Sequence, residues 1–273
     1  MRAVVTGSSG FIGSALVKRL LEEGWDVVSV DRESGNDILD THEMSKVIFH
    51  ADAVFHQAAA NLVNSRSAMI EDAVTNAVGT LNILKIAVTH NVPVIMASTG
   101  SVIGANGVPG TPYGISKRAG EQYAEWFIKY KKAKITILRY YSVYGPGMPT
   151  KDRGVIGIWL KAASKGDTLF VEGGGQSRSF CYIDDIIDAN MAVWNTPMYG
   201  IVEVGTHVPI QMAQLAELIQ RRYNALNVKF VEEREGDDFR SEPDTSRIES
   251  VGWSPKVTLD EGLERTHQWL LSC

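Results

Sequence analysis

The chain has 273 residues, 44% hydrophobic and 22% charged, enough to bury the core of one large α/β domain or two interlocked units. A net charge of −5 and a pI near 5.7 deny it the basic field that a polyphosphate chain requires, so nucleic acid is excluded as an expected partner and any anionic ligand is small. Cys181 and Cys273 are too few for a disulfide framework, and neither they nor the six histidines form a CxxC or HxxxH pair, so no metal is expected and a reducing, cytoplasmic location is.

The N-terminal "MRAVVTGSSG" enters a strand-like run directly, with no signal-like segment, and no stretch of about 18 apolar residues follows, so the expectation is a chain neither exported nor membrane-spanning. In chain order the pattern predicts a strand at "AVVT", a helix near Phe11 to Glu23, a strand at "DVVSV", a short helix, and a strand at "DAVFH". A long helix near Ser67 to His90, the strand "PVIMAS", a helix from about Tyr113 to Lys132 and the strand "KITILRYY" complete the series. Repeated βαβ units of this kind predict a doubly wound parallel sheet, with ligands at the carboxyl ends of its strands. After Ser142 the pattern loosens into "VYGPGMPTKDRG", a helix, the turn-rich "EGGGQSRSF" and further alternating segments. This predicts a smaller, discontinuous substrate-binding lobe. The expected boundaries are 1–142 plus about 180–206 for the nucleotide domain, and about 143–179 plus 207–273 for the second lobe.

"TGSSGFIG" follows the first strand and opens a helix, with Gly7, Gly10 and Gly13 spaced three apart. Such glycines let backbone N–H groups and the helix N-terminus approach a pyrophosphate. The spacing G-x-x-G-x-x-G differs from the commoner dinucleotide pattern, and Asp31, 18 residues after Gly13 at the end of the second strand, supplies the supporting signal: a carboxylate there accepts from both hydroxyls of an adenosine ribose and repels a 2′-phosphate. Arg32 alongside is suited to that phosphate, but Asp31 should prevail, which favours NAD over NADP.

Tyr113 and Lys117 in "TPYGISKRAG" stand four apart, and so do Tyr130 and Lys134 in "YKKAK". With 9 tyrosines in the chain, chance supplies roughly 0.4 such spacings, so context must choose between them. Tyr113 begins a helix 14 residues after Thr99, which ends the fourth strand; a hydroxyl and the pair can therefore converge at the sheet's carboxyl edge. On a helix Tyr113 and Lys117 share a face. An unperturbed tyrosine is about one part in a thousand ionised at pH 7, and a nearby cation lowers its pKa toward the roughly 3-unit shift that an effective base needs. Tyr130 with Lys134 reads as a solvated helix end. Asp184 and Asp185 read as an N-cap and a first-turn charge of the following helix.

The glycine loop, Asp31, "DAVFHQAA", "TNAVGTLNIL", "YGISK" and "LRYYSVYGPG" occur in one order. Together they resemble the extended short-chain dehydrogenase/reductase family, the NAD-dependent epimerases and dehydratases of nucleotide sugars, over nearly the whole chain. The resemblance implies a Rossmann-like fold and a dinucleotide held by Gly7, Gly10, Phe11, Ile12, Gly13, Asp31, Arg32, Asp37, Ile38, Gln57, Ala58, Ala59, Ala60, Asn61, Asn76 and Tyr141, with Tyr113 and Lys117. It implies Tyr113, Lys117 and Thr99 as catalytic residues, and Thr99, Ser142, Arg178 and Arg234 as contacts to the substrate, the two arginines gripping its diphosphate.

Three residues depart from the family pattern: Ser142 replaces a usual Asn, Ser179 a common Asp and Ile103 a usual Tyr. The segment from Gly104 to Tyr113 is also shorter than usual. The implied activity is an NAD-dependent 4-epimerase of the UDP-glucose/UDP-galactose type, acting through a transient 4-keto sugar in a homodimer. Gly100 and Ser101 supply no carboxyl group where the family's dehydratases and decarboxylases place one, which favours epimerisation over those reactions. The alternatives are another nucleotide-sugar dehydratase or decarboxylase or an NAD-dependent reductase of the same family, or a non-enzymatic NAD-binding regulatory or scaffold protein.

Overall fold

A computed structural model describes residues 1–60, 65–104, 107–151, 154–233 and 240–273, without the side chains of 240 and 241. Two compact units emerge, one comprising Met1–Tyr140, Ile187–Glu203 and Ser246–Trp253, the other Tyr141–Ile186, Val204–Thr245 and Ser254–Cys273. No helix among the described residues is long and apolar enough to cross a membrane.

The first unit is built on strands β1 (Arg2–Thr6), β2 (Asp26–Val30), β3 (Ala53–His56), β4 (Val94–Thr99) and β5 (Ile135–Tyr140). They pair parallel in the order β5-β4-β3-β1-β2, and the strand β10 (Gly200–Val204) extends the sheet beyond β5. A parallel sheet covered on both faces needs continuous apolar strands; accordingly β3 is buried at all four positions and β4 at five of six. Val4, Val54, Met96, Ile135 and Ile137 of the sheet meet Met44, Ile48, Ile83 and Leu84 of the covering helices in one core.

The helices begin where local chemistry starts them. Helix α1 (Phe11–Glu22) opens at Gly10 with no side-chain cap. In α2 (Thr41–Phe49) the Asp40 carboxylate accepts from Glu43 N–H. The predicted long helix near 67–90 is a helical run interrupted by a wider turn: α3 (Met69–Ala73), a π turn at Val74–Gly79, then α4 (Thr80–Thr89). Helix α5 (Pro112–Lys131) is capped by Thr111, whose hydroxyl accepts from Gly114 N–H, with Pro112 at its first position. Lys129 and Lys131 occupy its last turn, complementing the helix dipole, before Lys132 leaves in the left-handed conformation.

In the second unit the short strands β6 (Val143–Tyr144) and β9 (Cys181–Tyr182) pair parallel, as do β7 (Leu169–Glu172) and β12 (Val228–Val231). The strand β8 (Ser177–Arg178) lies between β11 (Ile210–Gln211) and β13 (Arg240–Ser241). Tyr144 is buried with its ring edge-on to Phe180 and Tyr182. Helix α6 (Ile183–Asn195) starts one residue before Asp184, so both aspartates are first-turn charges and neither precedes the helix as an N-cap. Asp185 is buried instead, its carboxylate accepting from the N–H groups of Lys256 and Val257. Two backbone donors far along the chain recruit a side chain that sequence pattern assigns to a helix end.

Candidate active site

At the amino end of α1 the chain folds into a tight cradle. Gly7 has φ +69° and its N–H donates to Val30 O at 2.8 Å, while a side chain at Gly13 would place its Cβ 2.0 Å from Gly7 O. Only glycine fits this close approach of loop, helix and sheet. The first-turn N–H groups of Phe11, Ile12 and Gly13 have no intrahelical acceptor, and Gly10 brings no side chain to occupy them, which suits an anion. Asp31 ends β2 with its carboxylate set in place: one oxygen accepts from Ser9 N–H and the other from Glu33 N–H, both at 3.1 Å. Each oxygen retains acceptor capacity. Arg32 points to an exposed pair with Glu71 at 3.3 Å, and Asp37 accepts from Leu39 N–H in a local turn. Ile38 is buried in the core beside Gly79, where a Cβ would come within 2.5 Å of its Cδ1.

The loop after β3 is held from beneath. Ala58 N–H donates to Thr6 Oγ1 at 3.2 Å, and Ala60 N–H donates to Asn76 Oδ1 at 2.8 Å. Asn76 is fully buried in the π turn and therefore fixes the Ala60 backbone. The Gln57 amide donates to Tyr140 Oη and Asn190 Oδ1, each at 3.4 Å, while Ala59 is exposed. Asn61 and Arg234 lie outside the described residues.

Two contacts place the start of α5 against the end of β4. A Cβ on Gly114 would lie 2.6 Å from Ser101 O, so its absence lets the turn bearing Tyr113 approach the segment after Thr99. Lys117 then reaches back, donating from Nζ to Ala97 O at 2.6 Å. Thr99 Oγ1 accepts from Ser101 N–H at 3.2 Å, which leaves its hydroxyl proton for donation. Tyr113 is half-buried one residue into the helix. Tyr130 is 59% exposed in the last turns of the same helix, separated from Tyr113 by about 25 Å of helix rise.

Beneath this edge lies a polar layer. Lys117 is 2% exposed, and burial pushes its pKa down to about 8 against the raising influence of Glu121 and Asp72. Glu121 accepts from Ser98 Oγ at 2.6 Å and from both Nε and Nη2 of Arg139 at 2.8 Å, a forked pair that Glu203 extends from the neighbouring strand. His56 bridges Thr6 Oγ1 at 2.7 Å and Thr80 Oγ1 at 3.0 Å; burial first, and Lys117 second, hold its pKa near 3. Asp72, Ser116, Glu121, Arg139 and His56 escaped the sequence reading: on pattern alone Asp72 and Glu121 are solvated helix charges, and nothing local ties Arg139 and His56 of the strands, or Ser116 beside Lys117, to them.

In the second unit Tyr141 is buried. Ser142 has φ +31° and its carbonyl accepts from Cys181 N–H at 3.2 Å. That backbone region tolerates Asn better than Ser, a physical reason for the family's usual Asn. Arg178 lies half-buried in β8, its Nη1 donating to Ser177 O at 2.8 Å. Ser179 is fully buried, and Ile103, in the first unit, is exposed.

Set beside known proteins, residues 3–205 match the pattern of the NAD dependent epimerase/dehydratase family. The chain is similar to a protein of Methanocaldococcus jannaschii provisionally named a UDP-glucose 4-epimerase, with 32% identity over 98% of this chain and 97% of that one. It is also similar to UDP-glucuronic acid decarboxylase 1 of Xenopus tropicalis, with 28% identity over 97% of this chain and 71% of the relative. Among solved structures, the UDP-glucose 4-epimerase of Thermotoga maritima with UDP-glucose superposes at a TM-score of 0.93, with 31% identity over 100% of this chain and 99% of that one.

Proposed function

This chain belongs to the NAD-dependent epimerase/dehydratase family, and from that premise we propose that it is a UDP-hexose 4-epimerase of the UDP-glucose/UDP-galactose type. Its cofactor is NAD, and the residues present fit it. The glycine cradle has no room for a Cβ, α1 offers uncapped N–H groups to the pyrophosphate, and Asp31 is pre-set by two backbone donors to accept from the adenosine ribose. Asn76 contributes by holding the Ala60 backbone rather than by reaching outward.

The observation that carries the reading is the tie between α5 and the end of β4, through Gly114 and Lys117, next to a turn whose first two residues, Gly100 and Ser101, bring no carboxyl group. When bound, NAD supplies a reversible hydride acceptor for the sugar C4. Tyr113 takes the proton from the 4-hydroxyl and returns it after the sugar turns over. Thr99, which accepts from Ser101 N–H and keeps its hydroxyl proton, donates to the 4-oxygen and steadies it. Lys117, with a pKa near 8, is mostly ionised at pH 7, and its charge favours the phenolate four residues earlier. Arg178, with its planar fork of donors, takes the diphosphate, and Ser142 and Arg234 complete the substrate contacts.

Several relatives are named UDP-glucuronic acid decarboxylases, so reaction type needs a direct test. Elimination and loss of carbon dioxide call for an acid or base beyond the tyrosine, which glycine lacks and a serine hydroxyl serves poorly near neutral pH. Incubation with UDP-glucose, UDP-galactose and UDP-glucuronic acid, read by NMR and mass spectrometry, is expected to give the 4-epimer of a hexose with no change of mass. A product lighter by water or carbon dioxide would sink the epimerase reading.

A further inference from the structure

Lys117 is enclosed by titratable groups from several elements. His56 comes from β3, Asp72 from α3, and Glu121 from the next turn of α5, with Arg139 of β5 behind Glu121; Tyr113 precedes it by one turn. Burial holds the imidazole pKa near 3, so it is neutral near pH 7. Of the two carboxylates, Glu121 has both oxygens engaged, by Ser98 and twice by Arg139, so its charge is matched by a guanidinium. Asp72 differs. It is 2% exposed, its Oδ1 accepts from Asn76 Nδ2 at 2.9 Å and from Ser116 Oγ, and among the described residues its Oδ2 has no hydrogen-bond partner. No cation pairs with it within salt-bridge distance among the described residues. A buried carboxylate oxygen left without a donor is costly unless a nearby cation balances it.

Ser116 carries the mechanical half of the argument. Its hydroxyl joins Asp72 on one side and lies 3.0 Å from Tyr113 O on the other. Asn76 meets the same Asp72 oxygen and holds Ala60. One buried carboxylate thus links α3, the first turn of α5 and the loop after β3.

We propose that Asp72 is a positioning residue for the Tyr113–Lys117 pair: its carboxylate tethers the first turns of α5 to α3 through Ser116 and supplies the negative charge that offsets the Lys117 ammonium. This deepens the reading of Tyr113 and Lys117 as the reacting pair and rests on it. Asp72 acts through Lys117 and needs no contact with substrate.

The test uses full-length protein saturated with NAD. Lysine 13Cε resonances are titrated by NMR, the Lys117 signal being the one missing from Lys117→Arg, in wild type, Asp72→Asn and Ser116→Ala, with thermal melts to confirm folding. Asp72→Asn keeps shape and loses charge; its Lys117 midpoint should fall by about one pH unit. Turnover of UDP-galactose should lose its alkaline limb by the same interval, roughly five-fold at pH 8 and little at pH 6. Ser116→Ala keeps the charge and should leave the midpoint in place while lowering kcat. A folded Asp72→Asn with an unmoved midpoint, even with a lower melting temperature, overturns the inference by making Asp72 merely structural. If the midpoint moves but no UDP-hexose is turned over by wild type, the epimerase reading fails and the role of Asp72 stands. Should Asp72→Asn not fold, Ser116→Ala decides: wild-type kcat at every pH overturns the tether, and a lowered kcat with an unmoved midpoint supports it.

Discussion

Tyr113 and Tyr130 offer an internal control at the scale of single residues, because both precede a lysine by four positions on one chain. Tyr113 precedes the glycine that closes on Ser101 O and stands one helical turn ahead of a buried ammonium, whereas Tyr130 stacks near Trp126 at an exposed helix end with Lys129 over its ring. A cation in water does little to a phenol, since screening and hydration dissipate its field; a buried cation acts through a medium of lower dielectric. Tyr113→Phe is therefore expected to lose turnover by roughly 100- to 10,000-fold while binding NAD as before. Tyr130→Phe should stay near wild type. Steady-state rates with UDP-galactose and NAD titration by calorimetry check both, and equal effects of the two substitutions would defeat the assignment of the base.

At the scale of elements, α5 does more than carry two reactive side chains. Its first turn closes on the end of β4 because position 114 has no Cβ, and its second turn is drawn in by the Lys117 bond to Ala97 O. Gly114→Ala would put a methyl group 2.6 Å from Ser101 O and 2.9 Å from Pro109 Cβ. One or the other must give way, at a cost of about 1–3 kcal/mol. The expected outcome is a lower melting temperature together with a fall in kcat at unchanged NAD affinity, because the turn that moves holds Tyr113 and Thr99 rather than the glycine cradle. A Gly114→Ala enzyme with wild-type kcat would show that the close approach serves stability alone.

At the scale of the whole molecule, the buried polar layer makes stability depend on pH. His56 in the folded chain has its pKa held near 3, whereas an unfolded histidine titrates near 6.5. The unfolded state therefore takes up a proton first, and the stability contribution of neutral His56 is full above about pH 6.5 and declines as pH falls toward 3. The slope approaches roughly 1.4 kcal/mol per pH unit below 6.5. Urea titrations between pH 6.5 and 5 should show this slope in wild type and a shallower one in His56→Gln; equal slopes would remove the histidine as its source. A second prediction concerns assembly. Ile115, Tyr123 and Trp126 are exposed on α5, and Ile70 and Val78 on the helical run before it. Helical spacing sets these three α5 residues within one face. We propose that these helices pair with those of a second copy, burying that face in a homodimer. Sedimentation at micromolar concentration giving only a 30-kDa species would exclude it.

Much of the first unit was legible in the sequence because its signals are local. Strand runs such as "DAVFH" and "PVIMAS" announce burial on both faces by their continuous apolar character, and the start of α5 near Tyr113 follows from capping chemistry at Thr111 and Pro112 within four residues. The glycine spacing and Asp31 were readable for the same reason, since a close backbone approach and a strand-end carboxylate each announce themselves by residue type. The second unit was less legible, for its two-residue strands carry no period to detect. Tertiary structure alone decided the fates of charges and of single polar groups. Asp185 became a clamp on Lys256 and Val257, Glu121 and Arg139 a buried fork, and Asp72 the carboxylate that meets Ser116 and Asn76. The physical reason is that the energy of a charged side chain depends on which groups from distant segments surround it. Hydrophobic period and turn chemistry are properties of neighbours in sequence, whereas the partner that makes a buried charge tolerable is a neighbour only in space.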